Sequence, residues 1–259
     1  MDEDVDLSRI RTEAIPDVVY RVARRNAALT CSRIRPEDDN DPDAGHRFDV
    51  LGAGVLYVGS TQRVAFLETL GVHRPRKEIS LEAADDDAAF MNQGCVPQDW
   101  RDIRSVFELS CRLDQAPPFV DLADVGTRTE VAKILRNDLR VLGIEYLDVP
   151  EVTSKNRAVT RMLARALYAA HDDDEVPTFG GIRYASRYDS NEVCWAVFDH
   201  VPIEVIRQSP IPIDHQPMVR VAEAFQLRVF CTLTTMRTRG GRRSGSRAPS
   251  ETPLVNQPA

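Results

Sequence analysis

The alternation of apolar and polar residues divides the chain into short blocks, and the period of each block predicts its secondary structure. Blocks that alternate at every second residue, or form short β-branched runs, predict strands at 18–24, 54–60, 105–113, 180–189, 193–198 and 203–208, with a short extended piece at 117–122. Blocks whose apolar residues recur at every third and fourth position predict helices at 61–72, 127–143 and 153–171.

The ends of the predicted helices carry capping signals. Ser60 or Thr61 can cap the first helix, because a side-chain oxygen at this position accepts a backbone N–H bond. Thr127 and Glu130 have the spacing of a capping box at the start of the second helix, and Gly143 suits its C-terminal cap.

Helices and strands are mixed along the chain without the regular β-α-β alternation of a doubly wound parallel sheet. This order predicts a mixed α+β fold, in which helices flank a largely antiparallel sheet. We expect one domain at residues 16–233, a flexible N-terminus at 1–15 and an irregular, charged stretch at 73–103. Residues 234–259 are rich in Arg, Gly, Ser and Pro and predict a disordered tail.

Composition and charge exclude several classes of protein. The chain has 259 residues, of which 42% are apolar, and a net charge of −7. It can build a large core but lacks the basic surface of a protein that coats nucleic acid or an anionic membrane. A small anionic ligand held by a few arginines remains compatible with this charge. Without a secretory signal, or the ~18 apolar residues of a membrane span, the sequence predicts a soluble, cytoplasmic protein.

Metal and nucleotide motifs are absent from the sequence. The five cysteines form no CxxC pair, the five histidines have no partner spacing, and no P-loop or nucleophile elbow occurs. Gly52 and Gly54 precede a strand rather than follow one, which excludes a dinucleotide-binding fingerprint. We therefore expect neither a metal nor a tightly bound cofactor.

Glu68 breaks the apolar pattern of the first helix. On a helical wheel it shares a face with Val64, Leu67 and Val72, where a hydrophobic residue is expected. It can lie at the rim of that face, neutralise a neighbouring arginine, or point into a cleft as a functional carboxylate. The other candidate site residues lie in or beside predicted strands and have structural explanations too, as surface ion pairs or half-buried packing. They are Tyr20, Arg21, Arg47, Tyr57, Tyr184 and Ser186.

Two separated segments carry a resemblance to a known family. HRFDVLGAGVLYVGSTQRVAFLETL (46–70) contains an Arg segment, a Leu-Tyr strand and an Ala-x-x-Glu helix, and FGGIRYASRYDSNEVCWAVF (179–198) contains a Gly-Ile-x-Tyr-x-Ser block. In this order the chain resembles, from residue 18 to 208, the RES-domain proteins, which include the toxins of RES–Xre toxin–antitoxin modules. The resemblance implies a fold like that of the ADP-ribosyltransferases and an activity that destroys NAD.

The resemblance also implies roles for the candidate residues. The implied catalytic residues are Glu68, Arg47 and Ser186, and the implied substrate-binding residues are Arg21, Tyr57, Tyr20 and Tyr184. Two arginines can clamp the pyrophosphate of NAD, and Tyr57 can stack on nicotinamide or hydrogen-bond the ribose. The carboxylate of Glu68 can stabilise the oxocarbenium-like sugar that forms as the N-glycosidic bond breaks.

The sequence departs from the family pattern beside Arg47. His46 stands in place of a glycine, Phe48 in place of a tryptophan and Asp49 in place of an asparagine. These changes leave the implied catalytic residues in place, so they bear on substrate fit and on the toxin role.

Three functions remain open at this point. The chain can be an NAD glycohydrolase or phosphorylase, with NAD as its substrate, water or inorganic phosphate as the acceptor, and an Xre-like antitoxin as its partner. It can instead be an ADP-ribosyltransferase that modifies a macromolecule, or a catalytically silent nucleotide-binding or interaction module. The retained candidate residues favour the two enzymes. We expect contact with nucleic acid only through an antitoxin, and none with membranes.

Overall fold

The computed structural model describes residues 7–39, 41–75, 94–111, 116–154 and 157–231. The strands are β1 Thr12–Glu13, β2 Val19–Arg24, β3 Val55–Gly59, β4 Cys95–Pro97, β5 Arg104–Cys111, β6 Phe119–Asp121, β7 Gly181–Ala185, β8 Val193–Phe198, β9 Ile203–Pro210 and β10 Arg228–Cys231. The helices are α1 Gln62–Leu70, α2 Val125–Ile134, α3 Arg136–Val141, α4 Val149–Thr153, α5 Arg157–Tyr168 and α6 Gln216–Ala224, and short 3-10 turns lie at Leu7–Arg9, Pro36–Asp38 and Gly71–His73.

Within these ranges, eight strands form one sheet in the order β1-β6-β7-β8-β3-β2-β5-β9. Its neighbouring strands run antiparallel, except for the parallel pair β6 and β7. Strands β4 and β10 form a separate parallel pair. The fold is mixed α+β with a largely antiparallel sheet and flanking helices, which confirms the fold class that the sequence predicts.

The sheet opens between two neighbouring interior strands, β3 and β2. These strands pair at one position, where Tyr20 lies opposite Gly59. By contrast, β2 pairs with β5 and β3 pairs with β8 along their whole lengths. The rest of β2 and β3 borders a cleft, which is lined by Arg21 from β2 and by Tyr57 from β3.

Helix α1 is fixed between two apolar clusters. Val64 belongs to the cluster that fills the space between the sheet and helices α2 to α5. Phe66, Leu67 and Leu70 belong to a second cluster, which also contains residues of α6. All four side chains are at most 2% exposed, and the Thr61 hydroxyl caps the helix by accepting the backbone N–H of Val64 at 3.1 Å. Close packing on both sides prevents α1 from turning about its axis.

The second predicted helix begins earlier than the sequence indicates and is broken in two. The Asp124 side chain caps α2 by accepting the backbone N–H of Thr127 at 2.8 Å. Thr127 is fully buried, and its hydroxyl accepts the backbone N–H of Arg11 at 2.9 Å. The predicted capping box is therefore wrong, because Thr127 lies inside the first turn. The helix breaks at Leu135, and Gly143, at φ +69°, follows α3.

The remaining differences concern the chain ends and short elements. The third predicted helix, 153–171, is divided between the end of α4 and α5, and α6, β4 and β10 were not predicted. The structure describes the expected flexible N-terminus from residue 7 onward. In this segment β1 pairs with β6, and Ile15 is 2% exposed. Residues 76–93, most of the irregular stretch, and the tail 234–259 lie outside the described residues. No helix in the described ranges has the length and apolar character that a membrane span requires.

Candidate active site

A cleft of about 520 Å³ opens between β2, β3 and α1. The sequence-predicted site residues that line it are Tyr20, Arg21, Arg47, Tyr57, Glu68 and Tyr184. The seventh predicted residue, Ser186, bonds to Glu68. Other lining residues that were not predicted for the site include His46, Arg157, Arg187 and Cys194. The structure therefore brings all seven predicted residues together at one cleft.

Glu68 is held in one orientation by a hydroxyl group. Ser186 Oγ donates to Glu68 Oε1 at 2.6 Å, and the backbone N–H of Tyr188 donates to the same Oγ at 3.2 Å. Because the hydroxyl accepts from Tyr188, its own proton is directed at Glu68. Ser186 is 3% exposed, so bulk water does not compete for this bond. This arrangement fixes one carboxylate oxygen and turns the group towards the cleft.

Cys194 is a second donor to Glu68, and sequence reasoning missed it. Its Sγ lies 3.7 Å from Glu68 Oε1. Burial, followed by the charge of Glu68, raises the pKa of the Cys194 thiol well above its usual range. The thiol therefore stays protonated and donates a weak hydrogen bond. An apolar strand such as VCWAVF gives no local sign of what lies opposite its cysteine.

A buried carboxylate, Asp49, holds the opposite side of the cleft. It is 1% exposed and was not predicted as a site residue. Ser32 Oγ donates to it at 2.7 Å, and the backbone N–H of His46 donates at 2.7 Å. The hydroxyl of Tyr57 donates to its other oxygen at 2.9 Å. Three donors satisfy the buried charge, so Asp49 fastens the segment that carries Arg47 to strand β3.

The hydroxyl of Tyr57 is engaged within the protein. It donates to Asp49 and accepts the backbone N–H of Phe48 at 3.0 Å. Burial, and then the charge of Asp49, raises the pKa of Tyr57 well above its usual range. Of the two roles expected for this side chain, stacking fits the structure, because the hydroxyl is already used and the ring lines the cleft. The ring of His46 packs edge-on against it, with centroids 5.2 Å apart.

Arg47 is held over aromatic rings. Its guanidinium carbon lies 4.6 Å from the ring centroid of Tyr184 and 5.5 Å from that of Phe48. Nη1 also donates to the carbonyl of Val152 at 3.4 Å. Stacking of this kind supports the guanidinium through its face, which leaves N–H groups at its edge for a ligand. Tyr184, 7% exposed, therefore acts as the support for Arg47.

Arg21 lies at the rim of the cleft and contributes a positive charge to it. Its terminal nitrogens donate to the carbonyls of Ala28 at 2.8 Å and Thr30 at 2.9 Å, which holds the chain after β2 in place. Burial lowers the pKa of Arg21 from its ordinary value, but an arginine remains charged at neutral pH. Its neighbour Tyr20 packs against the apolar cluster of α1 and α6.

Two arginines of α5 fasten the acidic loop 36–49 through its backbone. Arg157 donates to the carbonyls of Asp43 and Gly45. Arg161, which is 6% exposed, donates to two further carbonyls of the loop at 2.8 Å each. The four-residue spacing puts both arginines on one face of the helix. That spacing is the signal in the sequence, but it does not show which loop the arginines meet.

Four arginines give the cleft a positive charge. They are Arg21, Arg47, Arg157 and Arg187. In the part of the chain that the structure describes, none of them forms an ion pair with a carboxylate. Guanidinium groups without carboxylate partners favour a ligand that carries phosphate. The described residues contain no group of His, Cys, Asp or Glu side chains that could hold a metal ion.

The chain was compared with protein families, with curated proteins and with solved structures. None of the curated proteins matches its sequence. Its structure is similar to a chain in the crystal structure of the M. tuberculosis MbcT-MbcA toxin-antitoxin complex, with a TM-score of 0.48 and 10% identity, over 85% of this chain and 91% of that one. The family model of the RES domain matches residues 18–220, which include every residue of the cleft. Because this match covers well over half of the sequence, the chain belongs to the RES-domain family.

Proposed function

We propose that this chain is an enzyme that consumes NAD by breaking the bond between nicotinamide and ribose, and that it acts as the toxin of a toxin–antitoxin pair. One observation carries the proposal: Glu68, bonded to Ser186 at 2.6 Å, faces a cleft that contains four arginines, none of which has a carboxylate partner among the described residues. Membership of the RES-domain family supports both the enzymatic activity and the role as a toxin.

The charge and size of the cleft suit part of a dinucleotide. A volume of about 520 Å³ lies within the range of small-molecule sites. The pyrophosphate of NAD carries two negative charges, which the N–H groups of Arg47 and the charges of Arg21 and Arg157 can match. The flat nicotinamide ring can then stack on Tyr57, beside Glu68. This pose brings the scissile bond to the carboxylate.

The bond can break without a general acid. As the C–N bond lengthens, its electron pair moves to the nicotinamide nitrogen and cancels the positive charge of the ring. Positive charge develops instead on the ribose, in an oxocarbenium-like transition state. The carboxylate of Glu68, oriented in advance by Ser186 and Cys194, stabilises that charge. Such stabilisation is effective because the donors need no rearrangement during the reaction.

The proposal includes an Xre-like antitoxin as the partner of the toxin. Expression of the chain alone should arrest growth of its host, and co-expression of a neighbouring helix-turn-helix protein should restore it. Growth arrest by wild type but not by the Glu68→Gln variant would connect the toxicity to NAD consumption.

The first experiment compares two glutamate variants in a nicotinamide-release assay with purified protein. Glu68→Gln keeps the shape of the side chain but removes its charge, so NAD consumption should fall at least a hundredfold. Glu223→Gln is the matched control, because Glu223 lies exposed on α6, outside the cleft. Circular dichroism should show the same fold for both variants.

The products separate this proposal from the alternatives. Free ADP-ribose or its 1″-phosphate supports the proposed activity, whereas label transferred to a macromolecule indicates an ADP-ribosyltransferase. A wild-type rate in Glu68→Gln would contradict the catalytic assignment. Wild-type protein that consumes no NAD would indicate a catalytically silent binding module.

A further inference from the structure

Arg63 lies on helix α1, five residues before Glu68, but it does not line the cleft. At about 100° per residue the two side chains point to different faces of the helix. Arg63 Nη1 donates to Asp189 Oδ2 at 2.9 Å and also to Glu192 Oε1. Both acceptors belong to the β7–β8 turn, residues 186–192. Arg63 therefore joins the helix that carries Glu68 to the turn that follows β7.

Glu192 connects this ion pair to Ser186. Its side chain is 15% exposed, and its second oxygen accepts the hydroxyl of Thr61, the cap of α1, at 3.0 Å. Its backbone carbonyl accepts the N–H of Ser186 at 2.8 Å. Ser186 Oγ in turn donates to Glu68 at 2.6 Å. The side chain of Glu192 thus bonds to α1, while its backbone holds the residue that orients the carboxylate.

Asp189 gives the turn its shape. Its Oδ1 accepts the backbone N–H of Asn191 at 3.1 Å, and its carbonyl accepts that of Glu192 at 3.0 Å. The hydrogen bond from Arg63 holds the pKa of Asp189 below its usual range. Both partners of this bond are therefore charged at neutral pH.

The contacts of Arg63 form a network rather than an isolated surface pair. A single exposed ion pair contributes little, because solvent screens it and its side chains are mobile. Arg63 is 40% exposed, but its guanidinium bonds two carboxylates of one turn, and Thr61 bonds one of them as well. The bonds inside the turn fix its shape, whereas those from Arg63 and Thr61 fix where the turn lies relative to α1.

We infer that Arg63 is a positioning residue for the proposed reaction, because it holds the turn of Ser186 in register with Glu68. The inference rests on the NAD-consuming function proposed above. Since Arg63 lies outside the cleft, its loss should slow the chemical step without weakening the binding of NAD. A small displacement of an aligned group is enough to lower the rate of a reaction strongly.

The test is a double-mutant cycle that measures kcat and KM for NAD by nicotinamide release. Arg63→Gln should lower kcat about tenfold and change KM less than about twofold. Ser186→Ala removes the bond through which Arg63 acts. In that background, Arg63→Gln should lower kcat less than about twofold further. Partial unfolding would lower kcat equally in both backgrounds, so the cycle distinguishes positioning from a general loss of structure.

A rescue variant and a matched control accompany the cycle. Arg63→Lys keeps the charge but loses the planar fork, so it should recover part of kcat. Arg11→Gln is the control, because Arg11 is 59% exposed and has two carboxylate neighbours, Glu13 at 2.7 Å and Asp121 at 3.8 Å, outside the cleft. It should keep the wild-type kcat. Hydrogen exchange should be faster at the amides of 186–192 in Arg63→Gln, and unchanged there in the control.

Each contrary result has a distinct meaning. A wild-type kcat in Arg63→Gln, or unchanged hydrogen exchange in the turn, would overturn the inference. Equal falls in kcat with and without Ser186 would overturn it too, because Arg63 would then not act through that hydroxyl. These results leave the NAD-consuming function standing. If the wild type consumes no NAD at all, the proposed function fails and the role of Arg63 in the reaction fails with it.

Discussion

Two clefts in the described part of the chain have nearly equal volumes, about 520 Å³ at the candidate active site and about 510 Å³ on the helical side of the molecule. The second, here called the helix cleft, lies between α2, α3 and the segment that precedes α4. Four basic residues line it: Arg128, Lys133, Arg136 and Arg140. Volume and the number of cations therefore do not distinguish the two clefts.

The difference lies in how the charges are paired. In the helix cleft, Lys133 donates to the carboxylate of Glu130 at 3.0 Å, and Glu145 and Asp148 are part of the lining. In the candidate active site, no arginine has a carboxylate partner among the described residues. A cleft whose arginines have no carboxylate partner can gain more from an anionic ligand than one in which a cation is already paired and two further carboxylates line the wall.

The two clefts also differ in what supports their polar groups. Asp49 and Ser186, which are 1% and 3% exposed, anchor both sides of the active-site cleft. The helix cleft is bordered by exposed apolar side chains, with Val125 at 64% and Tyr146 at 66%. Buried hydrogen bonds hold a site in one geometry, whereas exposed side chains adjust freely. The helix cleft also contains a buried cation, Arg128, but the carboxylates that line it, Glu145 and Asp148, are exposed. Buried and hydrogen-bonded acidic and hydroxyl groups, rather than cavity size, therefore favour the candidate active site.

The sharpest test of the comparison removes one arginine from each cleft. Arg47→Ala should lower kcat/KM for NAD about a hundredfold, equivalent to ~2.7 kcal/mol, because a charge-assisted contact with substrate is lost. Arg140→Ala, in the helix cleft, should change kcat/KM less than about twofold. Steady-state nicotinamide release measures both. Equal effects of the two substitutions on kcat/KM would mean that Arg47 makes no specific contact with the substrate.

The next test compares a buried carboxylate with a helix cap. Asp49→Ala leaves the hydroxyls of Ser32 and Tyr57 and the N–H of His46 without their acceptor, so unfolding should become easier by about 2–3 kcal/mol. Asp124→Ala, which removes the cap of α2 beside the helix cleft, should cost about 1 kcal/mol. Urea denaturation measures both free energies. Similar values would mean that Asp49 carries no special structural role.

The parts of the site that local patterns determine could be predicted from the sequence. Strand β3 and helix α1 follow from an apolar run, a capping Thr61 and apolar residues on one helical face. Glu68 is conspicuous because its neighbours along the helix are buried. For these features the controlling interactions are within a few residues of the chain, so the sequence displays them directly.

The parts that depend on distant contacts could not be predicted. Asp49 is one of several acids in a polar loop, and its partner Ser32 is 17 residues away. Cys194 meets Glu68 across 126 residues. The cap of α2 also depends on packing. Asp124 and Thr127 are equally good caps by local rules, and the burial of Thr127 leaves Asp124 as the cap. Such choices are made by packing, which a single sequence does not show.

The smallest effect concerns the glycine beneath Tyr188, and it tests whether the active-site cleft is as tightly supported as the comparison implies. Gly71 has φ −58°, which suits any residue, so alanine is excluded there by the Tyr188 ring alone, 2.2 Å from its Cβ. Gly71→Ala should therefore cost about 1–2 kcal/mol in urea denaturation. It should also lower kcat/KM, since the Tyr188 ring stacks with Arg187 and the Tyr188 backbone N–H donates to Ser186.

The control is Gly126→Ala, in α2 beside the helix cleft. An added Cβ there meets just the Asp124 side chain at 3.2 Å, so stability should change by less than about 1 kcal/mol. Equal stability of the two variants would show that Tyr188 moves aside freely, and the cleft would then lack the rigid wall on which the position of Arg187 depends.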